Sequence, residues 1–231
     1  MPSAPIPPRP DLVVCDLAGT TIHDRGEVPA AFEQALREAG LAYDAAEVSA
    51  WRGASKREVV GRLVARQDGG RTIEPDRVYG RFRELLLQRL AAAGPLSLPG
   101  VHQTLARLKA DRCRVAATTG FDRDVVETIL AAVSWAELLD AWVCGDDVPQ
   151  GRPAPFMIFR AMERCGVVDV RRVAVVGDTR LDLEAAWNAG AGWRIGVLTG
   201  AHDRATLAAA PHTHLCDAVT ALPSLWNQVM V

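Results

Sequence analysis

The sequence predicts an α/β fold, a doubly wound parallel sheet with an inserted helical cap, and three observations carry that expectation. Short apolar runs recur at 11–16, 113–118, 141–144, 172–177 and 194–198, each of strand length and rich in branched or small residues. Helical patterns fill the intervals between the last four, the alternation expected when crossover helices join parallel strands. From about residue 24 to residue 96 the patterns are helical only, which marks an insertion after the first strand. With 231 residues, about half of them hydrophobic, the chain can bury one substantial core and a smaller accessory unit.

Taken in order, residues 1–10 (MPSAPIPPRP) are proline-rich and lack an apolar signal core, so they read as a flexible leader. Residues 11–23 and 97–231 should form the sheet-bearing core, and residues 24–96 the cap. In the cap, AAFEQALREAG and RVYGRFRELLLQRLAAAG have helical periodicity, the second with an apolar face through Val78, Phe82, Leu85, Leu86 and Leu90. WRGASKREVVGRL adds a third helix: Ser55 followed three residues later by Glu58 is a capping box, ahead of an apolar face of Val59, Val60, Leu63 and Val64. Lys56 is then its first helical residue. The hinges should be HDRGEVP on entry and GPLSLPG on exit, both holding Gly and Pro.

The chemistry-bearing residues fall at strand ends. DLVVCDLAGTT delivers Asp16 from a buried strand onto a turn at Gly19, the edge at which open α/β sheets bind ligands. The hydroxyls of Thr20 and Thr21 can bond an oxyanion or cap the turn. RRVAVVGDTRLDLEAAWNAG repeats the arrangement, with Asp178 at a strand end and Asp182 one helical turn further on. Three carboxylates at one sheet edge repel each other unless a cation sits among them, and hard oxygen donors with open positions favour Mg²⁺. Asp182 is either part of that set or an acid complementing its helix dipole. CRVAATTG ends a further strand in Thr118, Thr119 and Gly120, just before a helix whose N-terminus lies near Asp122, a place that attracts phosphate. Arg152 sits on a loop stiffened by Pro149, Pro153 and Pro155, from which a guanidinium can neutralise a phosphoryl oxygen and the attacking carboxylate together.

These four segments resemble the haloacid dehalogenase superfamily in order, spacing and residue type. Within it, DLAGTT, TTGF and GRPAPFMI look like the phosphonatases, the phosphonoacetaldehyde hydrolases. Most relatives that cleave phosphate esters carry a second Asp where this chain has Ala18 and a Lys where it has Arg152; both replacements go the phosphonatase way. The resemblance implies a phospho-aspartate formed on Asp16, with Mg²⁺ bound by Asp16, the Ala18 carbonyl and Asp178, and with Asp182 as ligand or as support. Thr118, Thr119 and Gly120 would hold the phosphoryl oxygens. The cap's Gly, two residues, Lys arrangement is matched by Gly53 and Lys56. Three positions depart from the phosphonatase pattern: Arg52 for Met, Val59 for His and Phe121 for Tyr. Arg52 is thereby a candidate to grip an extra carboxylate or phosphate.

The missing acid at Ala18 has a consequence. An ester needs its leaving alkoxide protonated, a contribution of roughly 10²- to 10⁴-fold. A carbon leaving group needs an electron sink instead, and a lysine condensed with a substrate carbonyl provides one. At a helix N-terminus, with Arg52 and Arg57 nearby, Lys56 should lose its proton more readily than usual. The expected function is hydrolysis of the phosphorus–carbon bond of a small phosphonoaldehyde such as phosphonoacetaldehyde. The alternatives are a phosphomonoesterase or phosphomutase on the same scaffold, or a catalytically silent phosphometabolite-binding protein; a carbon–halogen hydrolase, which needs no cation, is disfavoured.

A net charge of −2 gives no argument for nucleic acid or an anionic membrane, and no apolar run approaches the roughly 20 residues of a spanning helix. The partner expected is therefore a small phosphonate or phosphate, with the chain a monomer or homodimer. Five cysteines, an odd number, read as buried thiols of a reducing cytoplasm.

Overall fold

A computed structural model describes residues 9–67, 73–92 and 96–229. Most of the expected leader, and Gly94 and Pro95 of the expected exit hinge, lie outside the described residues. The chain builds a six-stranded, all-parallel sheet: β1 (Leu12–Asp16), β2 (Arg114–Thr118), β3 (Ala141–Val143), β4 (Val173–Gly177), β5 (Trp193–Val197) and β6 (His214–Cys216). Their spatial order is β3-β2-β1-β4-β5-β6. The five runs read from sequence are β1 to β5, and β6 is an addition. It has three half-buried residues at a sheet edge, too short and too polar to show a period.

The sequence of β1 explains its central place. All five residues are buried, as expected for a strand covered on both faces. Val13 and Cys15 join the core on one face, while Leu12 and Val14 join the core on the other. Helices α5 (Val101–Ala110) and α6 (Arg123–Val133) cover the first face, and α7 (Phe156–Cys165) and α8 (Arg180–Ala189) the second. The chain moves outward from β1 through β2 to β3, then returns to the other side of β1 and moves outward through β4 to β6. The direction reverses between β1 and its neighbours, the switch point at which ligands bind in open sheets. Register pairs Asp16 with Thr118 and Cys15 with Val176, so the carboxyl ends of β1, β2 and β4 lie level.

Between β1 and α5 stand four helices: α1 (Glu27–Glu38), α2 (Ala45–Ala50), α3 (Lys56–Ala65) and α4 (Pro75–Ala92). Phe32 of the first and Phe82 of the fourth meet edge to face at 5.5 Å, a geometry that adds to their area burial. All five apolar residues expected on the face of helix 75–92 are buried. In helix 56–65 Val59, Val60 and Leu63 are buried, with Val64 half-buried. Entry to and exit from this helical segment are tied together: His23 N donates to Leu96 O at 2.7 Å and Leu98 N to Thr21 O at 3.1 Å.

Candidate active site

Asp16 ends β1 with its side chain almost wholly buried, and its Oδ1 lies 2.7 Å from Arg152 Nη2. Arg152, also buried, uses its fork three ways. Nε reaches Asp182 Oδ1 at 2.8 Å, and Nη2 also donates to the carbonyl and the hydroxyl of Thr118, both at 3.0 Å. With a lone pair of Thr118 Oγ1 occupied by the guanidinium, its proton remains available to an oxyanion. Burial pushes the Asp16 carboxyl well above its ordinary range; Arg152 opposes this, and Asp182 and Asp178 add to it.

Asp178 follows β4 and is held from two sides. Thr20 Oγ1 donates to its Oδ1 at 3.1 Å and Ala201 N to its Oδ2 at 2.6 Å. Burial and the neighbouring Asp182 nevertheless raise it to about 7. Gly19 and Gly200 press against this carboxylate: a methyl group on either would come within 2.5 Å or 2.0 Å of Asp178 Oδ2. Asp182 is committed elsewhere. Its Oδ2 accepts from Thr179 N at 3.0 Å and Thr179 Oγ1 at 2.5 Å, closing a capping box on α8, while its Oδ1 faces Arg152. Both oxygens are thus occupied, and Asp182 fixes Arg152 and the start of α8.

The residue chemistry here fits a hard divalent cation. Asp16, Ala18 and Asp178 line one cavity, and Arg152 offsets Asp16 and Asp182 but makes no ion pair with Asp178. Among the described residues no group of three or more His, Cys, Asp or Glu side chains is arranged to hold a metal. A cation would therefore draw on two carboxylates and the Ala18 carbonyl, leaving positions for water and a phosphoryl oxygen, the pattern Mg²⁺ favours.

Opposite these groups lies the loop before helix 56–65. Lys56 is its first residue, buried, with Nζ donating to the carbonyls of Trp51 (3.1 Å) and Ala54 (3.2 Å) and lying 5.6 Å from the centroid of the Phe32 ring. Burial lowers it to about 8; Asp24 resists and Arg52 assists. Ser55 accepts from Glu58 N as a helix cap, but Glu58 does not return the bond. Its carboxylate instead accepts from Gly151 N at 2.7 Å, joining the helical segment to the Arg152 loop. Asp122 likewise makes no side-chain cap for α6, because it faces Arg57 at 3.3 Å and Arg83 at 3.8 Å across the same junction.

Asp16, Ala18, Arg52, Gly53, Lys56, Thr119, Gly120, Arg152 and Asp178 thus line a single cavity of about 200 Å³, with Thr118 joined to it through Arg152 and Asp182 set behind. The oxyanion donors expected around Thr119 need one revision. Thr119 N is taken by Val143 O at 3.1 Å, and Phe121 N by Thr119 Oγ1 at 3.3 Å, so Gly120 is left as the amide of that turn without a partner among the described residues. The expectations drawn from sequence do not include the site contacts of Ala201 and Thr179, or that Glu58 turns from its cap to Gly151. Thr179 had a local signal, the Thr-x-x-Asp spacing of a capping box.

Gly53 shows how closely the loop sits on the sheet edge. Its φ is +81°, and an added methyl would stand 2.6 Å from Thr179 Oγ1. Gly53→Ala should combine left-handed backbone strain of about 1–2 kcal/mol with displacement of either the loop or Thr179. Because Thr179 holds Asp182, and Asp182 holds Arg152, a fall in kcat/KM of roughly 10²-fold is expected, the scale of a 1 Å misplacement. Steady-state kinetics beside a thermal melt check it, and unchanged kcat/KM would show that the loop does not close on Thr179 during turnover.

The fold and the site define a class. Residues 10–190 match the model of the haloacid dehalogenase-like hydrolases, and the chain belongs to that family. It is a hydrolase. It is 28% identical over 220 residues to the phosphonoacetaldehyde hydrolase of Paraburkholderia phytofirmans, which covers 87% of this chain and 81% of that protein. It is 30% identical over 209 residues to that of Hahella chejuensis, covering 84% and 69%. In structure it is similar to a phosphonoacetaldehyde hydrolase-like protein from Oleispira antarctica, with a TM-score of 0.81 at 22% identity over 98% and 93% of the two chains.

Proposed function

We propose that the protein is a Mg²⁺-dependent phosphonatase that forms a phospho-aspartate on Asp16 and cleaves the phosphorus–carbon bond of a small phosphonoaldehyde such as phosphonoacetaldehyde. The observation that carries this reading is one cavity holding a buried attacking carboxylate, no acid at Ala18, and a desolvated lysine. Relatives named phosphonoacetaldehyde hydrolase support it at 28–30% identity over most of the chain. Residues 24–96 serve as the cap, residues 11–23 with 97–231 as the core. Among the described residues no helix is long and apolar enough to cross a membrane.

The steps follow from the side chains. Lys56 Nζ, released from the carbonyls of Trp51 and Ala54, attacks the substrate aldehyde carbon; water leaves and an iminium forms. An Asp16 oxygen attacks phosphorus, the phosphorus–carbon electron pair moves into the iminium to give an enamine, and no leaving oxygen requires an acid at Ala18. Arg152, Thr118 Oγ1 and the Gly120 N–H hold the phosphoryl oxygens as charge shifts among them. Mg²⁺ held by Asp16, the Ala18 carbonyl and Asp178 would withdraw charge from the same oxygens. The enamine takes a proton on carbon, the imine hydrolyses to acetaldehyde and free Lys56, and water cleaves the aspartyl phosphate to phosphate.

Borohydride trapping tests the reading. Incubation with phosphonoacetaldehyde and borohydride should inactivate the enzyme and leave a reduced adduct that peptide mass mapping places on Lys56. No adduct, together with efficient turnover of phosphate esters, would assign the protein to the phosphomonoesterases instead.

A further inference from the structure

Arg52 is the cation of this cavity that nothing in the fold uses. Its side chain is half-buried, lines the cavity, and forms no hydrogen bond or ion pair with the described residues. The three arginines that follow it up to residue 67 are paired: Arg57 with Asp76 and Asp122, Arg62 with Glu58, and Arg66 with Glu47. Arg152 is already paired with Asp16 and Asp182 and bonded to Thr118. A guanidinium partly withdrawn from water without a partner is unfavourable, and its planar fork matches a carboxylate bidentately. The backbone holds it in place, since neighbouring Gly53 is packed on Thr179. Arg52 lines the same cavity as Lys56, four residues further on.

We propose that Arg52 is a carboxylate subsite, and that the substrate bears a carboxylate on the very carbonyl carbon that Lys56 attacks: a 3-phosphono-2-oxo acid instead of the bare aldehyde. This rests on the phosphonatase reading above and narrows its substrate. A carbonyl carbon and its carboxylate are one bond apart, as suits an amine at the first residue of helix 56–65 and a guanidinium four residues earlier that line one cavity. Asp24 and Glu33 line the same cavity, so it is not a general sink for anions. Recognition must come from close contact with the Arg52 fork. In a cavity of about 200 Å³ that favours a compact carboxylate over a second phosphoryl group.

The chemistry balances as before. Lys56 condenses with the ketone and releases water, and Asp16 takes the phosphoryl group. The carbon–phosphorus electron pair forms an enamine, and protonation and hydrolysis return pyruvate and the free amine. Water then releases phosphate from Asp16.

The test compares two substrate pairs that differ in the carboxylate, phosphonopyruvate against phosphonoacetaldehyde and phosphoglycolate against ethyl phosphate, on the wild type, Arg52→Ala and Arg52→Lys. The wild type should favour phosphonopyruvate at least tenfold in kcat/KM. Arg52→Ala should lose roughly 10- to 100-fold on it, mainly through KM, the size of a lost charge-assisted pair. That loss should exceed the loss on phosphonoacetaldehyde at least tenfold, with Arg52→Lys restoring part. Arg52-dependent preference for phosphoglycolate, with neither phosphonate turned over, keeps the carboxylate subsite and overturns the phosphorus–carbon reading. Preference for phosphonoacetaldehyde, or equal losses on both members of each pair, overturns the subsite and leaves phosphonatase chemistry standing. No response to the carboxylate in either pair, including no turnover of any of the four, also overturns it.

Discussion

Asp16→Asn should abolish turnover, by at least about 10⁴-fold, while the protein remains folded. The carboxamide keeps the shape of the side chain at the end of β1 but cannot attack phosphorus. A loss of that size is about 5.4 kcal/mol of transition-state stabilisation. The fold should tolerate the change for a reason visible in the charges. Asp16 is one of three neighbouring buried carboxylates, and burial already favours its neutral form. The substitution removes repulsion with Asp178 and Asp182, while Arg152 keeps its contacts with Asp182 and Thr118. Stability should therefore change by no more than about 1 kcal/mol, the usual size for substitutions that leave no buried group unpaired. Single-turnover phosphate release and a thermal melt on the same preparation separate the two effects. A variant that keeps more than about one hundredth of the wild-type rate would place the nucleophile elsewhere.

How much of this site could be read from the sequence depended on how local each signal was. Asp16, Asp178 and Lys56 were legible because each follows directly from a strand run or a helix cap, and position along an element decides where such a side chain stands. Arg152 was legible as a residue type on a stiff loop; its bond to Thr118, 34 positions away, was not. Asp182 was left open between metal ligand and helix acid, and only the tertiary placement of Arg152 and Thr179 occupies both its oxygens. Glu58 is the sharpest case. Its spacing from Ser55 satisfies a capping box, yet the carboxylate prefers the amide of Gly151, a contact between segments 93 residues apart. Asp122, at the start of α6, makes no side-chain cap and is drawn to Arg57 and Arg83 in the same way. The strand β6 was missed because His214 and Cys216 flank a lone Leu215 on a half-buried edge; what fixes it there is packing, including His214 stacked on Trp193 at 5.2 Å. Long-range partners thus draw polar side chains away from the roles their local motifs imply, while the apolar framework of strands β1 to β5 falls where the runs put it.

The second large effect should appear in the pH dependence of Lys56 chemistry and its loss in Lys56→Met. Only the neutral amine attacks a carbonyl, so the rate of imine formation rises as pH passes upward through the lysine's pKa and levels off above it. Burial, aided by Arg52 and opposed by Asp24, holds that pKa at about 8. An exposed lysine would still be gaining free amine near 10.5. The alkaline gain in kcat/KM on a phosphonoaldehyde should therefore be nearly complete by about pH 9. Lys56→Met keeps the stem packed near Phe32 and removes the amine together with its bonds to Trp51 and Ala54. Without the electron sink, the carbanion has nowhere to delocalise, and cleavage of the phosphorus–carbon bond should fall at least about 10³-fold, the scale of losing a positioned catalytic acid or base. Phosphoryl transfer from a reactive aryl phosphate, whose leaving group needs neither imine nor acid, should fall much less, because Asp16, Arg152 and Thr118 are untouched. The two substrates together decide the role of the lysine. Equal losses on both would make Lys56 a phosphate-gripping ammonium, and its alkaline limb would then slope downward with pH, since such a group works only while charged.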